Sequence, residues 1–391
     1  MTLPTLAASS RTVPATTYDA ILLAGFGGPE GQDDVIPYLR NVTRGRGIPD
    51  ERLEEVAHHY RHFGGISPIN EQNRDLKAAL ETEIADRGLD LPVYWGNRFW
   101  APYFADALTE LHADGHRKVL VLVTTAFSSY SGCRAYREDL ATALAETGLE
   151  GEIELHKVRQ YFDHPGFVQP NIDAVRAGLR DLKHAGNGDA PHVMFATHSI
   201  PTAAADVSGP RETLPDGTEV ATGGENEWYA GGGWYVEQQR AVAALIMDAV
   251  ADEYPGTDWS LVFQSRSGSP EIPWLEPDIN DAIEKLPESV SGLVISPIGF
   301  VSDHMEVAWD LDNEALETCE ERSLPAVRVA TVGIDPQFVA GLIDLVEERH
   351  VASAGDEPRE RVALTDLGPW QDVCPTDCCL GRADKPTVAS A

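Results

Sequence analysis

The segment PIGFVSDHMEVAWDLDNE, residues 297–314, places three carboxylates, Glu306, Asp310 and Glu314, at intervals of four. In an α-helix that interval gathers them on one face, apart from the apolar Val307, Ala308 and Leu311. Like charges so spaced destabilise a helix by about 0.2–0.5 kcal/mol per pair. The row therefore reads either as a solvated acidic face or as successive oxygen ligands for a divalent cation passing along it. Ser302 or Asp303 can cap the helix at its start. A second candidate, His198, follows an apolar run that ends at Thr197. Alone, it fits a hydrogen-bonded structural imidazole as well as a catalytic one.

Cysteines and arginines supply the other candidates. Cys374, Cys378 and Cys379 crowd into VCPTDCCLGR, and Cys133 in SSYSGCRAY or Cys319 offers a fourth thiolate. Four thiolates suit a [2Fe-2S] cluster or a structural zinc, with free thiols as the plain alternative. An odd count of five argues against a disulfide framework and for a reducing compartment. In VTRGRGIPDERLEEVAHHYRHFGGISPIN, the donors Arg44, Arg46, Arg61 and Ser67 suit carboxylate recognition, since each guanidinium fork takes both oxygens of one carboxylate. Salt bridging to Glu54 and Glu55 is the plain alternative. GFGGPEG lacks the dinucleotide fingerprint, and a dinucleotide site is rejected.

Short Val, Ile and Leu-rich runs between amphipathic stretches must position these groups. They predict strands at 18–25, 92–97, 118–125 and 152–158, then at 192–197, 260–265, 292–297 and 326–331. Helices fit at 31–41, 50–62, 70–88, 101–115, 134–147, 166–185, 233–254, 276–287, 303–322 and 335–350. The pattern predicts an α/β protein of two similar Rossmann-like halves, each a four-stranded parallel sheet flanked by helices. The expected boundaries are a flexible tail at 1–17, halves at 18–165 and 166–352, and a Cys-containing tail at 353–391. Chemistry in such sheets collects beyond the carboxyl ends of the strands, where His198 and the 298–306 segment lie. The Gly-rich stretch between Asp206 and Gly233 reads as a long loop.

Composition bounds the partners. With 63 acidic against 30 basic residues, only six of them Lys, the chain carries −33 and a pI near 4.6. That excludes general attraction to nucleic acid or anionic lipid. Every apolar run falls short of the ~20 residues a membrane span requires, and the first 17 residues lack a signal pattern. A cytoplasmic enzyme, monomeric and without membrane insertion, is expected.

Taken in order, ILLAGFGGP, TRGRG, GGISPIN, FATHSIP, PWLEPDIND and PIGFVSDHMEVAWDLD resemble the ferrochelatases, from about residue 18 to about residue 350. The resemblance implies a porphyrin cleft between the halves, with Fe2+ as substrate. It assigns His198 and Glu306 to opposite sides of the macrocycle, with one or both accepting pyrrole protons. His198, Glu306, Asp310 and Glu314 would handle the metal. A flat porphyrin hides its nitrogen lone pairs, so base and macrocycle distortion must act together. Where many bacterial relatives carry a Tyr that ligates the product iron, this chain has Phe26, which has no oxygen to offer. The polar NEQNRDLK after Ile69, in place of an apolar lip, implies a wet mouth and so coproporphyrin III as substrate. Its propionates would meet Arg44, Arg46, Ser67 and Tyr136. The likeness is to coproporphyrin ferrochelatases of actinobacteria, some with a [2Fe-2S] cluster on C-terminal cysteines plus one near Cys133. It also implies hand-off to the next haem-pathway enzyme. The alternatives are a protoporphyrin IX ferrochelatase, a cobalt or nickel chelatase of similar fold, and a porphyrin or haem carrier that inserts no metal.

Overall fold

A computed structural model of the chain describes residues 12–45, 47–187, 189–213, 219–221, 232–266, 271–353, 356–381 and 385–389. The first four apolar runs form β1 (Ala20–Gly25), β2 (Val93–Asn97), β3 (Lys118–Val123) and β4 (Glu154–Lys157), ordered β2-β1-β3-β4 and parallel throughout. The second sheet contains β5 (Pro191–His198). A short antiparallel pair, β6 (Arg211–Thr213) and β7 (Glu219–Ala221), follows. Then come β8 (Asp258–Gln264), β9 (Gly292–Ser296) and β10 (Ala326–Arg328), and this sheet is ordered β10-β9-β5-β8, again parallel. Residues of β1, β5 and β9 point alternately to two faces and are buried on both, because helices cover each side. That is why these strands read as continuous apolar runs.

The helices are α1 (Val35–Val42), α2 (Asp50–His62), α3 (Ile69–Asp86), α4 (Phe104–Ala113), α5 (Ala135–Thr147), α6 (Pro165–His184), α7 (Thr202–Asp206), α8 (Gly233–Val250), α9 (Ile279–Glu284), α10 (Met305–Val307), α11 (Leu316–Glu321) and α12 (Pro336–Glu347). Between α10 and α11 the chain continues as a π-helix, Ala308–Ala315, giving one unbroken rod where a plain α-helix was expected. Such wide turns favour functional sites. Val307, Leu311 and Ala315 are all fully buried, so the apolar side of the rod also repeats every four residues. The carboxylates, each one residue earlier, form a parallel row along the border of that face.

Helix α12 ties the two sheets together. It crosses α6 where Gly166 meets Gly341, a contact so close that a Cβ on Gly166 would lie 2.7 Å from the Gly341 Cα. It also packs on α3, and Arg87 just past α3 reaches Asp344 at 2.7 Å and Glu347 at 2.6 Å. Among the described residues no helix is long and apolar enough to cross a membrane.

The chain beyond residue 353 was expected to end the packed region, and the structure corrects this. Trp370 is 1% exposed, with its ring centroid 5.2 Å from Trp234 and 5.7 Å from Phe162. Indole burial outweighs the turn-forming composition that made the segment read as a tail. The N-terminal residues that are described are also held: Thr16 N–H donates to the Arg349 carbonyl at 2.9 Å, and Val13 N–H to Asp372. Trp370→Ala should therefore lower unfolding free energy by about 3–5 kcal/mol. Urea unfolding checks this, and a loose tail would leave the midpoint unmoved.

Candidate active site

Strand β5 ends at His198, opposite Gln264 at the end of β8, and β9 feeds the loop into α10. Three strand ends and the head of the rod thus meet at one point. There His198 Nε2 lies 3.5 Å from Glu306 Oε2, both side chains partly open to solvent. This corrects the expectation that the two flank a macrocycle from opposite sides. At ion-pairing distance no ring fits between them.

The pair shifts both pKa values. Removal from water works against the charge on His198, but the Glu306 carboxylate, by charge and hydrogen bond, outweighs it and raises the imidazole pKa. Burial likewise works against Glu306, and protonated His198 outweighs it and lowers the carboxyl pKa. At neutral pH the resting pair is imidazolium and carboxylate. Beside it, Gln264 Nε2 donates to the Glu306 carbonyl at 3.1 Å and to Asp310 Oδ2 at 3.2 Å, and Ser265 Oγ donates to the same Asp310 oxygen. Ser265 sits at φ +62°, a left-handed conformation uncommon for serine, which aims its hydroxyl at the carboxylate. Burial, with the charges of Glu306 and Glu314 and against the Ser265 hydrogen bond, raises the Asp310 pKa to about 7. Glu314 is the outer member of the row. Its Oε1 accepts from Trp309 Nε1 at 2.7 Å, and the indole stacks on His59 with centroids 4.1 Å apart.

The N-terminal half closes on this point through α1 and α2. Val35, Tyr38, Leu39, Leu53, Ala57 and Tyr60 bury Met305, the residue before Glu306. Phe26, Phe99 and Trp100 pack against the same cluster, with Phe26 and Phe99 edge to face at 4.7 Å. Position 26 has no phenolic oxygen, as read from sequence.

The expected carboxylate-binding rim is not assembled as a set. Arg44 is exposed at the end of α1 and bonded to Asn41, while Arg46 lies outside the described residues. Ser67 is buried against Gly28, and Tyr136 is buried in the core of the N-terminal half beneath Arg98. Arg61 is engaged by Glu54 at 2.6 Å, the plain salt-bridge reading. Phe63 and Ile66, ahead of the polar NEQNRDLK run, are exposed. Sequence reasoning missed Gln264, Ser265 and Tyr38. Position directly at a strand's carboxyl end was the available signal for the first two.

Cys133, Cys374, Cys378 and Cys379 form one buried cluster, all as free thiols. Cys319 packs instead with Leu311 and Ala315, which removes it as a fourth partner. Hydrogen bonds from Cys133 and Cys378 hold the Cys374 thiol well below its usual pKa against the effect of burial. Cys379 Sγ accepts the Gly209 N–H at 3.0 Å, and Gln371 Nε2 donates to Cys374 Sγ at 3.3 Å. The sulfurs contact one another, as Cys378 and Cys379 do at 3.8 Å. Among the described residues no three His, Cys, Asp or Glu side chains stand as the ligand set of a metal ion. The four sulfurs are gathered by burial and mutual contact.

The ferrochelatase family profile matches residues 18–350. A protein of Leifsonia xyli subsp. xyli named coproporphyrin III ferrochelatase is 57% identical over 379 residues, covering 95% of this chain and 94% of its own. One of the same name from Streptomyces griseus is 55% identical over 381 residues, covering 96% of each. A protein of Rhodopirellula baltica named ferrochelatase is 46% identical over 377 residues, covering 95% of this chain and 96% of its own.

The elevated Asp310 pKa has a measurable sign. The folded state keeps a proton between about pH 4 and pH 7 that the unfolded chain has released, so this group's contribution to stability falls as pH rises through that window. Asp310→Asn should raise the thermal midpoint relative to wild type at pH 8. The advantage should shrink as pH falls and vanish near pH 4, as a pH series of melting curves would show.

Proposed function

This chain belongs to the ferrochelatase family, and from that premise we propose that it inserts Fe2+ into coproporphyrin III, giving Fe-coproporphyrin for haem biosynthesis. The names of its relatives support the substrate. The observation that carries the chemistry is the His198–Glu306 pair at the head of a carboxylate row. A carrier has no use for it.

Metal insertion releases two pyrrole protons per cation. Resting His198 is protonated and cannot take one. A cation brought along Glu314 and Asp310 to Glu306 replaces the imidazolium as the partner of that carboxylate. The His198 proton then passes to solvent, and the freed imidazole becomes the base beside the macrocycle, taking the two pyrrole protons in turn and handing each to solvent. Asp310, poised near neutrality, gives up its own proton as the cation passes. Base activation is thereby tied to metal arrival, and idle proton abstraction is suppressed. On this reading Phe26 packs against the macrocycle, and the product iron takes no phenolate from that position.

Cys133, Cys374, Cys378 and Cys379 would hold a [2Fe-2S] cluster. Four buried sulfurs without a disulfide, met by N–H donors from Gly209 and Gln371, suit that donor set. Such a cluster would supply one-electron redox chemistry remote from the porphyrin. On this reading the protein works in a reducing cytoplasm, with which cysteines outside disulfides are consistent, and acts as a monomer that passes its product to the next haem-pathway enzyme.

Anaerobic incubation with Fe2+ and either porphyrin, followed by absorbance, tests the activity. Metalloporphyrin bands should form faster with coproporphyrin III, and preference for protoporphyrin IX overturns the substrate. His198→Ala and Glu306→Gln should each cut turnover by roughly 100-fold or more while porphyrin still binds. For the cluster, the anaerobically purified protein should be coloured and Cys374→Ser colourless.

A further inference from the structure

The His198 ring is only as fixed as the peptide that carries it. The carbonyl oxygen of His198 accepts a hydrogen bond from Tyr235 Oη at 2.8 Å, and Thr197 Oγ1 lies 3.0 Å from the same hydroxyl. Thr197 is in turn wedged against the loop that leads to Glu306, since a Cβ on Gly299 would fall 2.2 Å from its Oγ1. One phenol thus touches the strand end bearing His198 and, through Thr197, the segment delivering its partner. Tyr235 lies in the first turn of α8 and is buried.

Tyr235 is itself held from a second direction. Its N–H donates to Ser208 Oγ at 2.8 Å, and Ser208 is 1% exposed. The next residue, Gly209, donates its N–H to Cys379 Sγ at 3.0 Å. Gly209 has φ +77°, and a Cβ there would come within 2.4 Å of the Trp234 ring, so this peptide is pressed against α8 with no room to shift. Hydrogen bonds and one peptide step therefore run without a break from the cysteine cluster to the His198 carbonyl.

We infer that Tyr235 is a positioning residue for His198 and that Ser208 and Gly209 tie it to the four-cysteine cluster, so that displacement of the Cys379 sulfur is felt at the imidazole. The inference rests on the proposed role of His198, but its principal readout is the ring itself, which reports whether or not the protein turns over. Tyr235→Phe removes only the hydroxyl, and Ser208→Ala breaks the tie with all cysteines in place. Histidine ring NMR signals, with His198 assigned by its loss in His198→Ala, should move in both variants. Tyr235→Phe should lower kcat by roughly 10-fold with the porphyrin KM unchanged, as expected for misplacement of a catalytic group. Cys379→Ala should move the His198 signal in the wild-type background and leave it still in Tyr235→Phe. Thermal unfolding confirms that each variant is folded. An unmoved His198 signal in folded Tyr235→Phe overturns the positioning role. A Cys379→Ala shift that persists undiminished without the Tyr235 hydroxyl overturns the route.

Discussion

The contact between His198 and Glu306 is the constraint on which the rest of the site depends. Two opposite charges drawn partly from water are costly apart and stable only together. Their meeting requires β5 to end where it does and β9 to hand the chain to the rod within a few residues. The fully buried parallel sheet meets that demand: β5 and β8 end level at His198 and Gln264, and β9 ends three residues earlier, opposite Phe195, which leaves its following loop to run past the end of β5. Thr197 against Gly299 then sets the spacing between the strand and the following loop. The rod inherits its direction from this junction, and Asp310 and Glu314 extend it outward.

The other half of the molecule contributes closure more than chemistry. By burying Met305, α1 and α2 fix the rod's first turn from the side opposite the sheet. The Gln72 side chain accepts from the Asp303 N–H at 2.8 Å, a polar stitch between α3 and the same turn. Helix α12 and Arg87 then limit how far the two halves can move apart. The head of the rod is thus held by elements anchored in both sheets.

How much of this was legible depends on the physics behind each feature. Both sheets were readable because a strand buried on two faces must be an apolar run, and all eight predicted strands overlap observed ones. The carboxylate row was readable because the interval of four survives the change from α to π winding. The winding itself was not, since hydrogen-bond pattern leaves no compositional trace. Burial of Ser67 and Tyr136 also escaped, because a donor's type says nothing of which way it faces. The position of Trp370 depends on Phe162 and Trp234, distant residues that only the folded chain brings together. Exclusion of Cys319 has the same origin: its place on the rod's apolar side commits it to the core beside Leu311, away from the other four thiols.

Net charge acquires a different meaning beside this geometry. A chain at −33 draws cations toward its whole surface, and the row beside His198 adds two carboxylates shifted in opposite directions. Glu306 is kept ionised by His198, Asp310 titrates near neutrality, and Glu314 is tethered by an indole N–H. A row of three full charges would trap a divalent ion. On the proposed reading the ion passes Asp310 by exchange for its proton and reaches Glu306 by displacing the imidazolium, so passage stays reversible until that arrival frees a base.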